Sequence, residues 1–267
     1  MNLFDYHLHS EYSFDSGEKI ENICEKAVQC GIAEIAITDH VEVPQREEAA
    51  WPDFSARRAV IEANRGKYRD VLKIRSGVEI GQGWRAPEQM RELIEREKFD
   101  FVLASVHALE CCQDPRHYVF TKENTLPFFQ EYFRQMIQMA LLCEYDCLAH
   151  ITYLFRFVPQ EILHIYPPES FENEYRRLFE AVISRGKGIE INCSGLRMPT
   201  LQTTLPSPQI LKLYRQCGGK IITLGSDGHS CRSDFSGLER GVEIMKEAGF
   251  EFISGFEGRK AFFQPIG

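Results

Sequence analysis

The sequence predicts an α/β protein whose parallel strands close into a barrel. About seven strand–helix units follow one another in regular succession, and repeated βα units imply a parallel sheet. The length of 267 residues matches the roughly 250 that an α/β barrel uses. No G-x-G-x-x-G or G-x-x-x-x-G-K-[ST] follows any strand, so the open, nucleotide-binding doubly wound sheet is the weaker alternative.

The elements read in order. "LFDYH" is a short β-rich run, and "EKIENICEKAVQC" places Ile20, Ile23, Cys24, Ala27 and Val28 at helical spacing, with Gly31 positioned to end the helix. "AEIAITDH" is the second strand, residues 54–67 the next helix, and "VLKIRSGVEI" the third strand. "PEQMRELIEREK" starts a helix on Pro87, which suits a first helical position, and "FDFVLASVH" follows. A long helix near 124–143 precedes "DCLAH", one near 170–185 precedes "GIEINCS", and one near 207–217 precedes "KIITLGSDGH". The helix "GLERGVEIMKEAG" leads into "FEFISGF". With no repeat, low-complexity run or linker, residues 1–267 are expected to form a single domain.

Composition bounds the function. Apolar residues make up 43% and charged residues 26%, as in a soluble globular protein with an ample core. The net charge of −8 argues against a nucleic-acid partner, because phosphate-backbone binding needs a basic surface. Nine cysteines with no C-x-x-C read as reduced, mostly buried thiols. Asp5, His7 and His9 stand where a signal peptide needs an apolar core, and no run approaches the roughly 20 apolar residues of a membrane span. The expected location is the cytoplasm, with no membrane partner.

The histidines carry the chemistry. Six of the eight lie at predicted strand ends: His7, His9, His40, His107, His150 and His229. Glu79 in "SGVEI" and Asp227 in "GSDGH" stand at matching places. In a parallel barrel all these ends open onto one face, where active sites are built. Residues i and i+2 of a strand point the same way, so His7 and His9 are about 7 Å apart at Cα and both can reach one ion. Asp227 and His229 repeat that spacing, and Asp15 lies in the first loop, able to fold back over the mouth. A lone histidine at a strand end is usually a satisfied core residue. So many buried ionisable groups together would be costly without a cation, so the pattern is read as a metal centre. His117 and His164 fall in predicted loops and are read as surface residues.

The motifs H-L-H-S, T-D-H, G-V-E, S-V-H, A-H and S-D-G-H, in this order, resemble the PHP (polymerase and histidinol phosphatase) family over residues 5 to about 231. The contexts "AHITYLFRF" and "EINCSGLR" are most similar to its monofunctional histidinol-phosphate phosphatases. The resemblance implies a distorted (β/α)7 TIM-like barrel holding two or three divalent ions, variously zinc, iron or manganese. It implies one ion on His7, His9, Glu79 and Asp227. A second takes Glu79 as a bridge with His107 and His150, and a third takes Asp15, His40 and His229. Gly228 stands where alanine is common.

A site of imidazole and carboxylate without thiolate suits hydrolysis better than structural zinc. Two neighbouring ions lower the pKa of a bridging water, so hydroxide attack on phosphorus is the expected step, with Asp227 or His229 as acid for the leaving alkoxide. A phosphate dianion also needs cationic clamps. Arg156 and Arg197, each beyond a strand end, are the candidates, against the plainer reading of surface arginines paired with acids. Glu11, Trp84 and Glu110 are weaker candidates for meeting an aminoalkyl-imidazole substrate. The expected reaction is hydrolysis of L-histidinol phosphate, a small-molecule phosphate monoester, in histidine biosynthesis. Two other readings stay open: a phosphoesterase acting on nucleotides or nucleic-acid ends, and a non-catalytic, metal-stabilised docking module. Nuclease activity on a 3′-end would mark the first, and metal uptake without turnover the second.

Overall fold

The computed structural model describes residues 2–43, 51–112 and 114–267. Along the chain run β1 (Leu3–Leu8), α1 (Ile20–Gln29), β2 (Ile32–Ile37), β3 (His40–Glu42), α2 (Phe54–Tyr68) and β4 (Lys73–Gly81). Then come α3 (Pro87–Glu97), β5 (Phe101–Ser105), α4 (Lys122–Leu142), β6 (Cys147–Leu148), α5 (Gln160–Leu163) and α6 (Glu172–Ser184). The chain finishes with β7 (Gly188–Asn192), α7 (Pro208–Gln216), β8 (Ile222–Gly225), α8 (Leu238–Glu247), β9 (Phe252–Glu257) and β10 (Lys260–Pro265).

Strands β1, β2, β4, β5, β6, β7 and β8 pair in that order, each parallel to its neighbour. The last meets the first just past the strand ends. Leu8 bridges Gly228, the amide of His9 donates to the Gly228 carbonyl at 2.9 Å, and the amide of Asp227 donates to the His7 carbonyl at 2.9 Å. The result is a nearly closed seven-stranded barrel, distorted at β6, which contributes only two residues to the sheet. "AEIAITDH" is not one strand as read from sequence. It breaks at Thr38–Asp39, and β3 restarts on His40 and pairs with β4, setting His40 opposite Glu79. That break delivers the His40 side chain to the barrel mouth.

The helices start and stop where local chemistry dictates. In α1, Ile20, Ile23, Cys24 and Ala27 form the buried stripe, and Gly31 follows at φ 69, a left-handed conformation that glycine adopts without penalty. Asp53 caps α2 by accepting from the amides of Ser55 and Ala56 at 3.1 Å, and Pro87 opens α3. A reciprocal cap between Thr121 and Asn124 starts α4 two residues earlier than the spacing suggests. No helix among the described residues is long and apolar enough to cross a membrane.

The segment "FEFISGF" is not an eighth barrel strand but half of an antiparallel hairpin, β9–β10, whose second strand the sequence reading missed. Its turn, Gly258–Arg259, has φ 52 and 66, the hand that matches strand twist. The hairpin closes the barrel end opposite the histidines. Gly258 and Arg259 bond Asp100 just before β5, Arg259 bonds Asp146 just before β6, and Ser254 accepts from Ile222 at the start of β8.

Candidate metal centre and active site

The site residues come from strand ends and the turns just past them: His7 on β1, His40 at the start of β3, Glu79 on β4, His107 after β5, His150 after β6, and Asp227 and His229 after β8. On β1 and just past it, Asp5, His7 and His9 alternate with Tyr6 and Leu8, which pack into the apolar core. All nine predicted residues gather at the C-terminal end of the barrel. His7, His9 and Glu79 have ligand atoms within 4.8 Å of one another, as do Glu79, His107 and His150, and as do His9, Asp15, His40 and His229. Asp227 Oδ1 lies 3.8 Å from His7 Nε2 and 3.7 Å from His9 Nε2. The donor groups overlap: His9 also reaches the third, and Asp227 lies within the same distance of His7 and His150 as a further group.

Glu79 sits at the centre, fully buried, and divides its oxygens. Oε2 is 3.0 Å from His7 Nε2, 3.4 Å from His9 Nε2 and 3.2 Å from His40 Nδ1; Oε1 is 3.0 Å from His150 Nε2 and 3.1 Å from His107 Nε2. Burial alone would raise the Glu79 carboxyl, but the surrounding His7, His40 and His107 hold it well below the usual carboxylate range. His9 goes the other way: burial, with His40 and His229 beside it, keeps the imidazole neutral.

Divalent cations fit this arrangement on the evidence of the donors themselves. His9 Nε2 is buried with no hydrogen-bond partner among the described residues, and its ring stacks at 4.1 Å on His229 and 4.3 Å on His40. His107 Nε2 and His150 Nε2 face each other at 3.4 Å, both aimed at the same carboxylate oxygen. Lone pairs crowded in this way repel unless a cation stands among them. The donors are nitrogen and oxygen only, as zinc, manganese and iron accept.

Backbone and outer partners hold the set in place. His150 at φ 24 and Asp227 at φ 55 occupy the left-handed region, strain that the surrounding structure must enforce. Sequence reading missed Glu190 and Asn192 on β7 and Glu42 on β3. Glu190 lies 2.6 Å from His7 Nδ1, and Asn192 donates to Asp227 Oδ2 at 3.3 Å. The available signal was alternation: Glu190 and Asn192 interrupt the apolar Ile189 and Ile191, and H-V-E at 40–42 repeats the spacing of H-L-H.

Above the cluster opens a cavity of about 770 Å³, lined by Asp15, His229, Tyr153 and four arginines, Arg85, Arg116, Arg156 and Arg197. Arg156 lies over the rings of Tyr153 and Phe157 at 5.0 and 5.5 Å. Arg197 donates to the Ser226 carbonyl at 2.9 Å and the Asp227 carbonyl at 3.3 Å. Among the described residues neither forms an ion pair with an acid, unlike Arg116, which pairs with Asp114. Glu11, Trp84 and Glu110 do not line the cavity: Trp84 is buried in the core and Glu110 pairs with Arg134. His117 and His164 are exposed on the surface.

The PHP domain family model matches residues 5–194, most of the barrel. The chain belongs to the PHP family. The histidinol-phosphatase of Lactococcus lactis is 29% identical over 97% of this chain and 96% of its own. A "Probable histidinol-phosphatase" of Clostridium acetobutylicum is 31% identical over 85% of this chain and 86% of its own. The crystal structure of the Lactococcus lactis histidinol phosphate phosphatase, complexed with zinc, L-histidinol and phosphate, superposes with a TM-score of 0.83 at 24% identity. That match covers 98% of this chain and 99% of the other, so the PHP-type (β/α)7 fold is common to both.

Proposed function

We propose that the protein is a metal-dependent phosphomonoesterase, a single PHP-type domain that hydrolyses L-histidinol phosphate to L-histidinol and phosphate. The observation that carries this reading is the divided carboxylate of Glu79, set between two histidine groups beneath an arginine-lined cavity. Relatives named for the same activity, aligned over nearly the whole chain, supply the substrate.

His7, His9, Glu79 and Asp227 would hold one ion, Glu79, His107 and His150 a second, and Asp15, His40 and His229 a third. Two or three zinc, manganese or iron ions are the expected complement. When bound, such ions supply Lewis acidity and a water activated at neutral pH. The chain supplies the rest. Arg156 and Arg197 clamp the phosphate oxygens, and Arg156 holds its planar guanidinium ready by resting on Tyr153 and Phe157. The P–O bond to the substrate alkoxide breaks as water adds to phosphorus. The departing oxygen takes a proton from Asp227 or His229, whose Oδ1 and Nδ1 lie 3.5 Å apart at the cavity wall, and the proton given up by the attacking water restores that acid. All nine cysteines are free, which suits the reducing cytoplasm in which we place the enzyme.

The test is turnover by protein reconstituted with zinc or manganese, using histidinol phosphate beside a panel of other monoesters, nucleotides and 3′-ended oligonucleotides. Histidinol phosphate should give the highest kcat/KM, a strong chelator should abolish it, and added metal should restore it. An unchanged rate after verified metal removal, or a nucleotide preferred over histidinol phosphate, refutes the proposal.

A further inference from the structure

His107 has two faces. Its Nε2 points at Glu79 Oε1, 3.1 Å away, and its Nδ1 lies 2.8 Å from Oε1 of Glu42. Glu42 is accounted for on its other side as well, because Oε2 accepts from Gln82 Nε2. The Gln82 oxygen, Oε1, then accepts from the amide of His107 at 2.7 Å and from that of Ala108 at 3.4 Å. The bonds therefore form a ring: His107 imidazole to Glu42, Glu42 to Gln82, Gln82 back to the His107 backbone. The donor and acceptor ends of the Gln82 amide follow from its partners, since a backbone N–H needs an oxygen and a carboxylate needs an N–H.

The backbone is shaped to make room for this ring. Gln82 sits at φ 54, in the left-handed region. At position 81 the Glu42 carboxyl occupies the space a Cβ would need, so any other residue there would push Glu42 away from His107. Strain and a lost side chain at adjacent positions are the cost of holding Glu42 against His107.

We infer that Glu42 and Gln82 are positioning residues that fix the tautomer and ring plane of His107, keeping its Nε2 lone pair on the Glu79–His150 group. An imidazole that binds a cation through one nitrogen must carry its proton on the other, and a carboxylate there locks that tautomer and raises ligand basicity. This inference rests on the proposed metal-binding role of His107. The competing arrangement is an additional ion held by Glu42, His40 and His107, whose donor atoms also lie close together. Two contacts favour the hydrogen-bonded ring: Glu42 Oε2 is engaged by Gln82, and His40 Nδ1 lies nearer Glu79 Oε2, at 3.2 Å, than Glu42 Oε1, at 3.5 Å.

The experiment compares zinc-loaded parent protein with Glu42→Gln, Glu42→Ala and the exchanged pair Glu42→Gln/Gln82→Glu. It reads zinc affinity by chelator competition, zinc content at saturation by elemental analysis, and the His107 tautomer by ¹⁵N-histidine NMR. In Glu42→Gln the Gln82 N–H keeps the oxygen of residue 42, so the new amide N–H faces His107 Nδ1, which loses its acceptor. Affinity at the weakened site should fall about 10–100-fold, the usual loss when an outer partner of a metal ligand is removed, and the Nδ1–H signal of His107 should change. The exchanged pair restores the donor–acceptor ring and should recover most of the affinity and the parental tautomer. In Glu42→Ala the zinc content at saturation should equal that of the parent. Unchanged affinity and tautomer in Glu42→Gln, or no recovery in the exchanged pair, overturns the inference. So does one fewer zinc in Glu42→Ala, which would make Glu42 a ligand. A parent protein that takes up no zinc overturns the metal reading along with it.

Discussion

Glu190 Oε1 stands 2.6 Å from His7 Nδ1, with both side chains shut off from solvent. Its second oxygen accepts from the backbone amide of His150 at 2.9 Å. One carboxylate on β7 thus steadies a residue of each of the two histidine groups that share Glu79. Replacing Glu190 with alanine should lower metal affinity and kcat by about 10–100-fold each. Elemental analysis after dialysis against a graded chelator series, followed by steady-state kinetics, checks this; parental metal retention would remove Glu190 from the support of the site.

The two arginines should separate kinetically. Arg156 rests on aromatic rings and forms no ion pair with an acid among the described residues, so Arg156→Ala should raise KM about 10–100-fold, as expected for lost charged hydrogen bonds, while leaving metal content alone. Arg197 also donates to the carbonyls of Ser226 and Asp227, so Arg197→Ala should raise KM and lower kcat together. Kinetics of the two metal-loaded variants decide, and an unchanged KM in either removes that arginine from the phosphate site.

Arg57 ties the first two loops at the mouth together. Its Nε meets Asp39 at 2.5 Å, its Nη2 donates to the carbonyls of Ile37 and Gly77 at 2.5 and 2.7 Å, and Asp39 in turn accepts from the amide of Ser10 at 2.6 Å. Arg57→Leu strands a buried carboxylate and should destabilise the fold by about 3–5 kcal/mol. Urea unfolding of the metal-loaded protein measures it; a loss under about 1 kcal/mol, the worth of a surface pair, would mean that the pair is not buried in solution.

Asp234 is buried, and neither of its side-chain oxygens has a hydrogen-bond partner among the described residues. Burial, reinforced by the nearby Asp5 carboxylate, pushes its pKa from 3.8 up to about 7. Below 3.8 both native and unfolded chains are protonated there; between 3.8 and about 7 the unfolded chain ionises while the native one resists. Asp234 therefore subtracts stability as pH rises through that window, by at most about 1.4 kcal/mol per pH unit. Asp234→Asn should gain on the parent steadily from pH 4 to 7 and hold its advantage above, as read from unfolding midpoints at each pH. A constant difference across that range would contradict the shifted ionisation.

The barrel and the rim of histidines were legible because both depend on short-range periodicity. The i, i+2 spacing in H-L-H survives folding as a shared direction, D-G-H reaches the same rim from beyond the end of β8, and the regular βα succession fixes which strand ends share a face. Glu42, Gln82 and Glu190 were harder to see, since their roles come from contacts across strands rather than along one. The meeting of Glu190 with His7 depends on the closure of β8 against β1, which no local pattern encodes. The β9–β10 hairpin was missed for a different reason: its turn rests on Gly258 and Arg259 sharing a left-handed backbone, which the arginine conceals.

Asp5 and Ser226 touch at 2.9 Å across the seam of the barrel, 221 residues apart along the chain. A ribosome must therefore release nearly the whole polypeptide before His7 and His9 can meet Asp227 and His229. Maturation acquires an order, with the rim completed last, because a nascent chain lacks Asp227 and His229 until they emerge.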